Sequence, residues 1–417
     1  MHQNEITEAT AELAAGRRSG VVTHVIDGRV LKVLEGVFAG AHSGRLHVVL
    51  PSGRSAVFGS TDSRGIEVSI ALKNYRVFWA SMRRGALGFA DSYLSGDFEV
   101  DSLANLFRFY MDNEAILLQA YRRFFHSSRI DRLFHQRRAN TRAGSRANIA
   151  AHYDLGNDFY RLWLDEGMTY SSGIYRSADV SLEAAQDEKY ARIHNALELG
   201  SDHSVLEIGC GWGGFAESAA LKGADVTAVT ISRNQFEDAR ARIARRGLQD
   251  RANIVFEDYR DTLGQFDRVA SIEMIEAVGE ENWQAYFRTV ADRLKPGGVA
   301  AIQAITIRED LYDLYRRSPD FIQRYIFPGG MLPTVSAMRR HANEAGLSFD
   351  IEETFADSYA RTLAAWRDRF VDAWPRVEAL GFDERFRRMW MYYLDYCEVG
   401  FESGTIDVGL YRMNKPL

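Results

Sequence analysis

Short, unbroken apolar runs recur through the middle of the chain. Val205–Ile208, Val226–Val229, Ile254–Phe256, Val269–Ile272 and Val299–Gln303 read as strands, and helical spacing fills the stretches between them. Strands alternating with helices predict an α/β fold, an open parallel sheet with helices on both faces. In such sheets a ligand lies beyond the carboxyl ends of the strands. The loops after Ile208, Val229, Phe256, Ile272 and Gln303 should therefore line one crevice. Residues 310–417 read as largely helical and aromatic-rich, with Pro328-Gly-Gly330 marking a turn.

Upstream the pattern changes. Residues 20–80 look strand-rich: Leu46–Leu50 runs into Pro51-Ser-Gly53, and Ile66–Ile70 alternates apolar with polar. Leu87–Phe98 reads as a helix and turn, and residues 102–125 carry helical spacing. Residues 1–120 thus predict a small α+β domain, and residues 147–417 a second, larger one. Between them, in 121–146, Arg122, Arg123, Arg129, Arg132, Arg137, Arg138, Arg142 and Arg146 face only Asp131. This basic segment has two readings. It is a solvated linker, or it is a patch for anionic lipid head groups, where each basic residue is worth about 1 kcal/mol. Phe124, Phe125 and Phe134 interleave with the arginines, as suits an interfacial segment.

Composition narrows the classes. A chain of 417 residues with 46% apolar and 26% charged residues has room for two or three domains and a sizeable core. The net charge of −6 argues against a nucleic-acid binder. Cys210 and Cys397 offer no disulfide framework, which fits a reducing compartment. The polar start, Met1–Gly20, does not read as a signal peptide, and no run suits a bilayer span. The expected location is the cytoplasm. His24, His47 and His341 have no metal-ligand spacing, so no metal is expected.

Chemistry enters at Val205-Leu-Glu-Ile-Gly-Cys-Gly-Trp-Gly-Gly214, a strand, an acid and a glycine-rich turn before a helix. Gly209 and Gly211 permit positive φ and close backbone approach to a ligand. A nicotinamide site is the alternative reading. Against it, the second strand ends Thr230-Ile-Ser232, where a dinucleotide site usually offers an acid to the ribose. The spacing Glu207-x-Gly209-x-Gly211-x-Gly213, with a Lys295-Pro-Gly-Gly298 turn before the fifth strand, is typical of S-adenosylmethionine methyltransferases.

Further motifs sharpen this. His152-Tyr-Asp-Leu-Gly-Asn-Asp-Phe159, Met168-Thr-Tyr-Ser171, Val229-Thr-Ile-Ser232 with Gln235, Tyr325-Ile-Phe-Pro328 and Tyr392-Tyr-Leu394 join the glycine turn. Together they resemble the cyclopropane-fatty-acyl-phospholipid synthase family over roughly residues 90–410. The resemblance implies a Rossmann-like methyltransferase with a mostly parallel seven-stranded sheet. It also implies a small lipid-binding-type domain in front. The implied reaction methylates a cis double bond of an unsaturated phospholipid acyl chain. In cyclopropane formation a bound bicarbonate then removes a proton from the new methyl group. A peripheral position at the inner membrane surface, with transient contact to anionic lipid, follows from such a substrate. The sequence leaves a homodimer open.

The site carries over unevenly. Glu276 matches the bicarbonate-holding glutamate, Ile305 the isoleucine whose backbone contributes, and Tyr359 the tyrosine. Ser172 stands where the family usually has cysteine, Gln303 where it has histidine, and Ala277 where a histidine follows the glutamate. Serine and glutamine can hydrogen-bond a small anion but lack a titratable imidazole. These departures favour simple methylation, giving a methyl-branched unsaturated chain on the route to furan fatty acids, beside cyclopropanation. For the cofactor the resemblance implies Gly209, Gly211, Thr230, Gln235, Tyr259, Tyr170 and Ser171. Tyr170 and Trp212 have an equal reading as packing residues, His152 as a structural hydrogen-bonding one, and Glu273 reads as a solvated helix residue. Two rivals remain: a non-catalytic lipid-binding protein with a relict fold, and a methyltransferase for small molecules or RNA.

Overall fold

The structure is a computed structural model that describes residues 21–60, 65–117 and 155–417. The arginine-rich segment 121–146 and His152 lie outside the described residues. The chain divides into two units: one holds residues up to Asp131 together with Phe382–Val399, the other Arg132–Gly381 with Gly400–Leu417.

In the first unit Val21–Phe38 is a helix, although its β-branched start read as strand. Three strands follow: β1 (Arg45–Val49), β2 (Ser55–Gly59) and β3 (Glu67–Leu72), then β4 (Phe98–Val100). They form one sheet in the order β2-β1-β3-β4. The β1–β2 hairpin closes on the expected Pro51–Gly53 turn, where Gly53 N–H donates to Leu50 O. Leu46, Val48, Val68, Phe98 and Phe109 fill its core. Phe382–Val399 belongs to this unit, although the expected second domain ran unbroken to residue 417. Arg388 grips Glu99 with two hydrogen bonds of 2.6 and 2.8 Å, Arg108 reaches Glu398 at 2.6 Å, and the Phe107 and Tyr392 rings meet at 5.0 Å.

The second unit carries β5 (Ser204–Ile208), β6 (Asp225–Thr230), β7 (Ala252–Phe256), β8 (Phe266–Ile272), β9 (Leu294–Ile307), β10 (Asp350–Thr354) and β11 (Ile406–Asn414). They form one sheet in the order β10-β11-β9-β8-β5-β6-β7. The five strands foreseen pair in parallel, and β11 runs antiparallel between β9 and β10. The C-terminal stretch is thus not helical to its end. Lys295–Gly298 is not a separate turn either: it bulges out of β9 between the pairs Phe266↔Leu294 and Arg268↔Val299. Leu206, Ile208, Val269, Ile302, Tyr286, Phe287 and Met413 belong to one buried core.

The order of the strands sets the site. From β5 the chain builds outward to β6 and β7; it then returns to the other side for β8 and β9. The reversal lies between β5 and β8, and a crevice opens beyond the carboxyl ends of strands at such a point. The glycine turn follows β5 there, and the loop Glu273–Gly279 follows β8.

Candidate active site

The glycine turn is shaped by backbone. Gly209, Gly211 and Gly213 have φ of 82°, 51° and 81°, in the left-handed region that side chains resist. Gly209 and Cys210 both donate their N–H to Val229 O at 3.0 Å, which ties the turn to the end of β6. A Cβ on Gly209 would stand 2.7 Å from Met274 Cγ, so the turn and the loop after β8 touch. A Cβ on Gly211 would meet nothing within 4 Å. That open side, at a position where the backbone already excludes side chains, suits a bound cofactor.

Beside it, Thr230 Oγ1 donates to Gln235 Oε1 at 3.0 Å, and Ser232 Oγ caps the following helix at Gln235 N–H. Thr230, Ser232 and Gln235 are all buried. Tyr259, beyond β7, packs its ring 5.7 Å from Tyr286. Ser171 is buried, and its hydroxyl accepts from Lys189 Nζ at 2.7 Å. Tyr170 lies among Tyr160, Trp163, Trp366 and Phe327, with ring centroids 5.3–6.4 Å away, and keeps part of its surface accessible. Trp212 is buried and donates its indole N–H to Asn157 Oδ1 at 2.9 Å, as its packing reading expected. These residues fit S-adenosylmethionine. Gly209, Gly211, Thr230, Gln235, Tyr259 and Ser171 would hold it, and it would supply an electrophilic methyl group.

The centre of the second half of the site is Glu273, not a solvated helix residue. It follows β8 with φ of 49°, a left-handed conformation that costs a non-glycine residue about 1–3 kcal/mol. The twist turns its carboxylate into a ring of donors. Oε1 accepts from Ser172 N–H at 2.8 Å and Gln303 Nε2 at 2.7 Å; Oε2 accepts from the Tyr359 hydroxyl at 2.6 Å. Ser172, Gln303 and Tyr359 are buried, and Glu273 is half-buried. Tyr359 stacks on Phe401 at 4.4 Å, which fixes its ring. The Ser172 hydroxyl turns away and donates to Gly173 O.

Glu276 sits in the next short turn. Its Oε1 accepts from Ile305 N–H at 2.6 Å, and its Oε2 is buried without a partner. Burial and the neighbouring Glu273 charge push its pKa up to about 8, so it keeps its proton at neutral pH. Burial also raises Glu273, but there the Tyr359 hydroxyl, the Ser172 N–H, the Lys189 charge and Gln303 all work against it. Between two coupled carboxylates, the one with three donors carries the charge. Lys189, fully buried, is itself lowered to about 8 by desolvation, against the pull of Glu273, Asp165 and Glu207.

The structure therefore brings Ser172, Glu276, Gln303, Ile305 and Tyr359 together, as expected. It corrects which carboxylate the donors hold. Bicarbonate does not fit: the Ser172, Gln303 and Tyr359 donors assigned to it are engaged by Glu273. Lys189 was also missed, because its burial comes from packing that no local pattern announces. For Glu273 a signal existed: an acid placed directly after Val269–Ile272, at the crevice end of a strand.

Comparison with known proteins gives a consistent picture. The family model described as mycolic acid cyclopropane synthetase matches residues 140–410. The chain is 39% identical to a tuberculostearic acid methyltransferase of Mycobacterium tuberculosis, over 78% of each chain. It is 37% identical to the cyclopropane-fatty-acyl-phospholipid synthase of Escherichia coli K12, over 81% of this chain and 86% of that one. A solved mycolic acid cyclopropane synthase, complexed with SAH and CTAB, superposes with a TM-score of 0.60 at 30% identity, covering 65% of this chain and 98% of that one.

Proposed function

This chain belongs to the mycolic acid cyclopropane synthetase family, and from that premise we propose that it makes a methyl-branched unsaturated acyl chain in a phospholipid. Membership makes it an S-adenosylmethionine-dependent methyltransferase acting on lipid acyl chains, of the cyclopropane synthase type. The proposal concerns the substrate, a phospholipid with a cis double bond, and the fate of the cation left on the chain after methyl transfer.

One observation carries the proposal: the donors that would hold bicarbonate hold the chain's own Glu273. Ring closure through bicarbonate then lacks its base, and the imidazole that would accompany it is replaced by Gln303. Loss of a proton from the acyl chain instead leaves a double bond beside the new branch. Half-buried Tyr170, with Phe327 beside it, offers a π face to a cationic chain. Glu276, protonated at neutral pH, adds no second negative charge that would compete for that cation.

The test is product analysis. Vesicles of dioleoyl phosphatidylglycerol are incubated with the protein and S-adenosylmethionine, and the acyl chains are read by mass spectrometry before and after ozone. A chain heavier by one methylene and cleaved by ozone supports the proposal. A product of the same mass that resists ozone is a cyclopropane and overturns it.

A further inference from the structure

We infer that Glu273 is the proton acceptor of this reaction, a carboxylate built into the chain in the place of an exchangeable anion. The inference rests on the acyl-methylation reading above and deepens it. Three features of the structure converge on it. Three donors from three separate segments, Ser172 N–H, Gln303 Nε2 and Tyr359 OH, meet on this one carboxylate. The residue lies one position beyond β8, at the reversal of strand order, and its loop touches the glycine turn through Met274. Its backbone adopts a left-handed φ that nothing in the loop's own composition demands, so the surrounding structure holds the side chain in place. The neighbouring Glu276 is half-buried as well, but its Oε2 is sealed and unpartnered.

The chemistry balances. Methyl transfer forms a C–C bond to one alkene carbon and breaks the S–CH₃ bond, leaving S-adenosylhomocysteine and a cation on the other alkene carbon. The Glu273 carboxylate takes a proton from the carbon next to that cation. The electron pair of the broken C–H bond becomes the new double bond. No external base, oxidant or reductant is needed. The captured proton then leaves to solvent as the product departs, and Tyr359, Gln303 and Ser172 hold the carboxylate in register throughout.

The experiment compares the full-length protein with Glu273→Gln and Glu273→Ala on dioleoyl phosphatidylglycerol vesicles, in buffer purged of carbon dioxide and in buffer with added bicarbonate or formate. The wild-type rate is expected to be the same in both. Both variants are expected to lose on the order of 10²–10⁴-fold in turnover, the usual contribution of a positioned base, while S-adenosylmethionine affinity by calorimetry changes less than about threefold. Added formate or bicarbonate should restore part of the Glu273→Ala rate, because the small side chain vacates the ring of donors. It should not restore Glu273→Gln, whose amide still fills it. A wild-type rate that depends on bicarbonate, or Glu273→Gln turnover within about threefold of wild type, overturns the inference. Calorimetric titration of bicarbonate gives a readout independent of turnover. No binding to wild type and binding to Glu273→Ala support the inference; binding to wild type overturns it. A wild-type product that resists ozone, formed without bicarbonate, would sink the methyl-branching proposal and leave Glu273 as the base.

Discussion

Glu273 meets the condition for a buried charge. An ionised carboxylate is costly to bury unless its oxygens are bonded, and here each oxygen has a donor while the Oε2 of the neighbouring Glu276 has none. The groups acting on Glu273 are Tyr359, Ser172, Lys189 and Gln303, with Glu276 beside it, and burial raises its pKa in their company. A base works only when ionised, so activity must fall as pH drops through that raised pKa. The acid limb of kcat/KM against pH should therefore lie above the ~4.3 of a free glutamate. A limb at the free value, or no limb at all, would speak against Glu273. Glu276→Gln, by contrast, exchanges a protonated acid for a neutral amide and should change turnover at pH 7 by less than about tenfold. A larger loss would return the chemistry to Glu276.

A second residue-scale effect concerns stability. His194 is buried against Phe215 with both ring nitrogens unpartnered, and burial lowers its pKa to about 4. The unfolded chain then binds a proton below about pH 6.5 that the folded chain refuses. Stability should decline by about 1.4 kcal/mol for each pH unit between those two values. His194→Leu should flatten that decline, read as denaturation midpoints at pH 7.5 and pH 5. Parallel declines in both proteins would contradict the assignment.

Elements show how far sequence reading reaches. The parallel strands were legible because each is an apolar run with a turn at its end. Val21–Phe38 was not, because its β-branched start favours strand while its context makes helix. The β10 segment, Asp-Ile-Glu-Glu-Thr, is almost wholly exposed at the sheet edge, so no apolar alternation marks it. The glycine turn was legible, since only glycine tolerates its φ values. Glu273 was not read correctly: Glu273-Met-Ile-Glu276 carries helical spacing, and only the left-handed φ at Glu273, invisible in composition, swings the acid inward. From the turn itself a prediction follows. Gly211→Val should weaken S-adenosylmethionine binding by tenfold or more in calorimetry, since a branched side chain would enter the open side at a strained φ of 51°. Unchanged affinity would move the cofactor elsewhere.

For the molecule as a whole, among the described residues no helix is long and apolar enough to cross a membrane. We propose that the arginine-rich segment 121–146 carries the charge for contact with anionic lipid. Binding to anionic vesicles should weaken with salt and be absent for neutral vesicles, because surface attraction is screened within about 8–10 Å at physiological ionic strength. Equal sedimentation with neutral vesicles at all salt concentrations would leave the segment a linker. Whether the protein's own carboxylate removes a proton from the acyl chain is decided with S-adenosylmethionine carrying a trideuterated methyl group, in bicarbonate-free buffer on unsaturated phospholipid. A methyl-branched product that keeps all three deuteriums is expected; a product that keeps only two would contradict proton loss from the chain.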